Sequence, residues 1–119
     1  MDLITEEVPL QYGLAPWSAT AKTVVLRQAT LQDVYVAVAA VEMPDDMAGA
    51  GRIAYQMAID DAQILAQVDR IDGNEPPEVR RLAQLIHPDD MSSLRAASEV
   101  IKKKQRGESE PSPTPEPSK

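Results

Sequence analysis

The hydrophobic pattern changes its period near residue 29, and that change sets the fold class. Upstream, Val8, Leu10, Tyr12 and Leu14 alternate with Pro9, Gln11 and Gly13, the two-residue repeat of a half-buried strand. Pro9 cannot donate to a ladder and confines that strand to a sheet edge. A β-branched run, "TVVLRQ" at 23–28, follows after the loop "APWSATAK", so residues 8–28 read as a β-hairpin on which Trp17 forms a cap or lies exposed. Downstream, apolar residues recur every three or four positions. The predicted fold is therefore α+β: an N-terminal β-hairpin packed with about four helices.

Thr30 supplies an N-cap hydroxyl and Asp33 an acid in the first turn, and Leu31, Val34, Tyr35, Val38 and Val41 then form one helical stripe that ends near Met43-Pro44. A second helix starts at Asp45 or Asp46 and runs through Ile53, Met57, Ile64 and Leu65, with Asp60 and Asp61 interrupting its apolar face. Pro76-Pro77 opens a third, bearing Val79, Leu82, Ala83 and Ile86, which stops at His87-Pro88. The fourth starts at Asp89 or Asp90, carries Met91, Leu94, Ala97 and Ile101, and places Lys102, Lys103 and Lys104 in its last turn, where the dipole favours cations. Gly107 is its stop. Between the second and third helices lies "RIDGNEPP"; its Asp72-Gly73 pair is a hairpin dipeptide, which predicts a short hairpin turn near residues 68–75 inserted between helices.

With no Phe, one Trp and three Tyr, the core must be thin and built from Leu, Ile, Val, Met and Ala. Residues 1–106 suffice for one small domain. Residues 107–119, "GESEPSPTPEPSK", hold four prolines and no aliphatic side chain, so they are read as a disordered tail. Twelve basic against nineteen acidic residues give a net charge of −7, which disfavours nucleic acid, since phosphate affinity rests on Lys and Arg. The lack of Cys rules out a disulfide scaffold, thiolate metal ligation and a cysteine nucleophile. "MDLITEEVPL" is acidic where a signal peptide is basic, and no apolar run reaches the roughly 20 residues of a membrane span. These features point to a cytoplasmic protein with no membrane partner.

Chemical motifs are sparse. "GAGRIA" at 49–54 matches a dinucleotide fingerprint in letters, but follows acids instead of a strand, so small residues in a loose first helical turn explain it better. Asp45-Asp46, Asp60-Asp61 and Asp89-Asp90 lack the alternating spacing of a calcium loop, and two of the pairs fall where N-caps belong. His87 is the sole histidine, so no triad or two-histidine metal motif can be assembled, and it reads as a helix-terminal residue. No catalytic, cofactor-binding or metal-ligating residue is assigned, no cofactor is expected, and the chain is read as non-enzymatic. The helix pair at 77–104, with Arg80, Arg81, Arg95 and the lysines, has the outline of a helix-turn-helix DNA-binding regulator, opposed by the net charge.

The order of elements resembles the tail assembly chaperones of long-tailed bacteriophages, including the Mu-like group. "LRQATLQDVYVA" at 26–37 is similar to their L-R-x-x-T-x-x-D-x-x-x-A pattern, and the "IDG" turn and the closing "DDMSSLRAASEVIKK" fit as well; the likeness spans roughly residues 8–104. The Gly-rich 49–54 segment and the small residues of the first helix depart from it. The resemblance implies a viral, non-catalytic protein of the host cytoplasm that binds the helical, apolar tape measure protein, keeps it soluble, and is absent from the mature virion. It also implies that a lysine run such as Lys102–Lys104 could mark a ribosomal frameshift site; a structural tail component stands as a second alternative after the DNA-binding regulator. Ala and Met make adaptable apolar surfaces, which suits such a partner, and self-association is left open. Leu31, Val34, Val38, Leu82, Ile86, Leu94 and Ile101 are expected to divide between a small core and a client groove, beside the plainer reading that all seven are core.

Overall fold

The computed structural model describes residues 3–107. The expectation of a disordered tail lies, Gly107 apart, outside the described residues. The fold is α+β, with strands β1 (Thr5–Pro9), β2 (Thr23–Arg27) and β3 (Val68–Ile71) and helices α1 (Leu31–Ala40), α2 (Ala50–Ala66), α3 (Val79–Leu85) and α4 (Pro88–Gln105). The strands form one antiparallel sheet in the order β1-β2-β3. Pro9 thus sits on an edge strand, as its missing N–H requires.

The sheet differs from the predicted hairpin in two respects. β1 is five residues long and ends at Pro9, so the alternation from Leu10 to Leu14 belongs to the β1–β2 connection, where Leu14 is buried and Tyr12 exposed. The segment before Asp72-Gly73 does not stand alone as an inserted hairpin; β3 joins the N-terminal strands as their third member. The turn itself is as expected: Asp72 and Gly73 both take positive φ (53° and 82°), the type I′ signature, and Ile71 pairs with Asn74 across it. The Asp72 carboxylate accepts from the backbone N–H groups of Lys22 and Thr23, at 3.2 and 3.0 Å, which ties the turn to the start of β2. A bulge makes the third strand fit. Val24 pairs with Ile71 and Val25 with Arg70, but Leu26 pairs with Val68, leaving Asp69 as the extra residue. Val68 and Ile71, three apart and so on opposite faces of a regular strand, both return to the buried face.

Helix boundaries shift for local reasons. α1 ends at Ala40, with Val41 as an extended C-cap, three residues before Met43-Pro44. α2 begins at Ala50 and not at Asp45 or Asp46, because the Asp46 carboxylate instead accepts from the Ala48 N–H in a turn ahead of the helix. α3 begins at Val79, two residues after Pro77. α4 is capped by His87, not by Asp89 or Asp90: the His87 Nδ1 accepts from the Asp89 N–H at 3.0 Å and Pro88 occupies the first helical position. Asp90 is buried one turn further on, and its carboxylate accepts from the N–H groups of Gln11 and Tyr12 at 2.9 and 3.1 Å, fastening α4 to the β1–β2 connection.

α4 packs across β1 and β2, and α2 carries α1 and α3. Val8, Val24, Leu26, Val68 and Ile71 from the sheet meet Met91, Leu94 and Ile101 from α4, Leu65 from α2, Val79 and Leu82 from α3, and Ala37 from α1 in one core. Lys104 and Glu6 pair where α4 ends beside β1. Among the described residues, no helix is long and apolar enough to cross a membrane.

Candidate functional site

The seven apolar residues singled out from sequence fall into two groups. Leu82, Leu94 and Ile101 are buried in the core, and Ile86 is half-buried against it. Leu31, Val34 and Val38 lie on α1, away from the core: Leu31 is 64% and Val38 50% exposed, and Val34 is half-buried. Tyr35, 59% exposed, lies between Leu31 and Val38 on the same stripe. The structure therefore brings no seven-residue groove together. It leaves an apolar stripe, Leu31–Tyr35–Val38, on the outside of α1.

The orientation of α1 is the reverse of what its stripe predicts, and a buried ion pair accounts for it. α1 is apolar on nearly every side, so hydrophobicity alone does not choose which face turns inward. Asp33 does. Its carboxylate, 3% exposed, receives both Arg27 guanidinium nitrogens, at 2.9 and 2.8 Å, and also accepts from the Thr30 N–H in half of a capping box. Hydrogen bonding to Asp33 raises the Arg27 pKa above its ordinary value, against the opposing effect of burial. The guanidinium also donates to the carbonyls of Gln28 and Ala66. Ala37, one turn on and fully buried, lets α1 approach α2 closely, with Val36 and Ala40 beside it. With 33 and 37 inward, positions 31, 35 and 38 must face out.

The motif letters of residues 26–37 each gain a structural assignment from this junction. Leu26 is fully buried, Arg27 pairs with Asp33, Thr30 caps α1 and Ala37 provides the close approach. The network extends through Gln67, which is buried, donates from its amide to the Arg27 carbonyl at 3.0 Å and accepts from the Ser98 hydroxyl at 3.3 Å. β2, α1, α2 and α4 are thus held at one polar node.

Comparison with protein-family models, curated proteins and solved structures finds no match to this chain.

A second apolar surface went unnoticed in the sequence. From Ala50 to Ala58 no residue of α2 is buried; Ile59 is the first. Ile53 and Met57 are 60% and 61% exposed, and Met43 and Met47 in the preceding connection are also exposed. The acids at 60 and 61, read as interruptions of a core-facing stripe, were the available signal: they mark a face that meets water. Asp61 receives Arg95 through two nitrogens at 2.9 Å, raising the Arg95 pKa, and this pair crosses a groove of about 620 Å³ between α2 and α4. Asp60 accepts from the Gln56 amide at 3.0 Å.

The remaining polar features are structural in form. Tyr12 stacks on His87 with ring centroids 3.6 Å apart and donates from its hydroxyl to Asp89 at 3.3 Å. The charge on Asp89, reinforced by that bond, raises the Tyr12 pKa. Among the described residues, no group of three or more His, Asp or Glu side chains could hold a metal ion. The sheet is wholly antiparallel, so "GAGRIA" does not open a βαβ unit. Several basic side chains of the α3–α4 pair are engaged within the chain: Arg80 donates to the Ala40 carbonyl, Arg95 pairs with Asp61, Lys102 with Glu99 and Lys104 with Glu6. α4, the second helix of that pair, spends one face on the core.

Proposed function

We propose that this protein is a non-enzymatic tail assembly chaperone that holds an apolar helical segment of a long partner, the tape measure protein, against the outer stripe of α1. The observation that carries this reading is the outward stripe Leu31–Tyr35–Val38, a run of large apolar side chains at helical spacing on a helix whose inward face is already occupied. Such a stripe is what a helix-in-groove or helix-on-helix contact engages. The resemblance of residues 26–37 to the phage family supplies the partner's class.

The size of the stripe bears on stoichiometry. Covering three half-exposed side chains gains roughly 3–5 kcal/mol, at about 1.5–3 kcal/mol for each full burial. Association alone costs about 4 kcal/mol or more, so one copy on one short segment binds weakly. Many copies along one long client suit this surface better than a tight one-to-one complex, and a net charge of −7 per copy keeps such an assembly dispersed. The proposal places the protein in the host cytoplasm during assembly and outside the finished particle.

Co-expression with the long coiled-coil protein encoded nearby in the same genome, followed by affinity capture at low and high salt, tests this. Recovery of many copies per client, resistant to salt, is the expected result. A client equally insoluble with and without this protein contradicts it. Presence in mature particles would instead mark a structural tail component, and salt-sensitive retention on DNA a regulator.

A further inference from the structure

The exposed first half of α2 carries a self-complementary pattern. Arg52, Ile53, Gln56, Met57 and Asp60 share one face, with the cation at one end, the acid at the other and the two large apolar side chains between. Arg52 and Asp60 are eight residues apart, about 12 Å along the axis, too far to pair with each other. Arg52 makes no ion pair or hydrogen bond among the described residues, and Asp60 is held only by Gln56.

A second copy laid antiparallel across this face satisfies both ends at once. With a twofold axis near Tyr55 and Gln56, Ile53 of each copy meets Met57 of the other, and each Arg52 comes within reach of the other's Asp60. Isologous interfaces require such a patch, in which residue i meets j and j meets i. A parallel arrangement would set like charges together. We propose that the chain forms a twofold dimer through residues 52–60 of α2. This does not rest on the chaperone reading, whose stripe lies on α1.

Sedimentation equilibrium of the full chain from micromolar to several hundred micromolar tests it. A monomer–dimer equilibrium is expected, abolished by Met57→Glu or Ile53→Glu. Arg52→Glu and Asp60→Lys should each raise the dissociation constant by roughly tenfold, and the double variant should recover most of that loss, since two exchanged pairs are restored. These side chains are exposed, so the circular dichroism spectrum should not change. The chain has no native cysteine, so Gln56→Cys, near the axis, should oxidise to a disulfide-linked dimer, and Ser93→Cys on α4 should not. A monomer at every concentration, a dimer that survives Met57→Glu, or a charge exchange that restores nothing would overturn the proposal.

Discussion

Asp33 reads in the sequence as a capping acid and in the structure does more: it neutralises Arg27, completes half of a capping box and fixes which way α1 faces. Asp33→Ala leaves the guanidinium of Arg27 without its carboxylate at a site where it is 22% exposed. We expect a loss of about 3 kcal/mol, the lower end of the range for breaking a buried pair because Arg27 keeps some access to water, measured as a shift in the urea unfolding midpoint. A second residue-scale prediction concerns Tyr12, whose pKa is raised by Asp89. A raised phenol pKa means the folded state holds the proton more tightly. This contribution to stability is complete below the ordinary phenol value of about 10 and is lost as pH rises through the higher folded value. Ultraviolet titration should find one tyrosine ionising late, and Asp89→Asn should move it back toward the ordinary value.

At the scale of elements, existence was more legible than orientation. Thr30 and the Asp72-Gly73 turn were readable because each signal is local; Leu82, Leu94 and Ile101 were readable as apolar helix positions, but their place in the core and not in a client groove was left open until the packing decided it. Three features were not. The pairing of β3 with β2 joins residues more than 40 apart, and its bulge breaks the alternation a strand reading looks for. The first half of α2 has apolar residues at helical spacing but nothing to pack them against. Most telling is α1, where valines and alanines on several sides leave the inward face undecided until Arg27 claims Asp33. The contrast between helices is measurable: Leu94→Ala, at a site 1% exposed, should cost about 2–5 kcal/mol, whereas Leu31→Ala should change stability by less than about 0.5 kcal/mol. Equal costs for the two would mean that Leu31 belongs to the core.

On the scale of the whole molecule, the fold is a small sheet clamped by α4 through Asp90 at one end and Lys104 at the other, with α1 and the start of α2 presenting apolar side chains outward. On the β1 edge of the sheet, Glu6, Glu7 and Pro9 discourage strand addition. The most direct test of the central claim, that the outer stripe of α1 is the binding surface, is a calorimetric titration of the client's helical segment into wild type and Tyr35→Glu, with unfolding of both proteins followed in parallel. At least a tenfold loss of affinity at an unchanged unfolding midpoint is expected. Undiminished affinity in the Tyr35→Glu protein would contradict it.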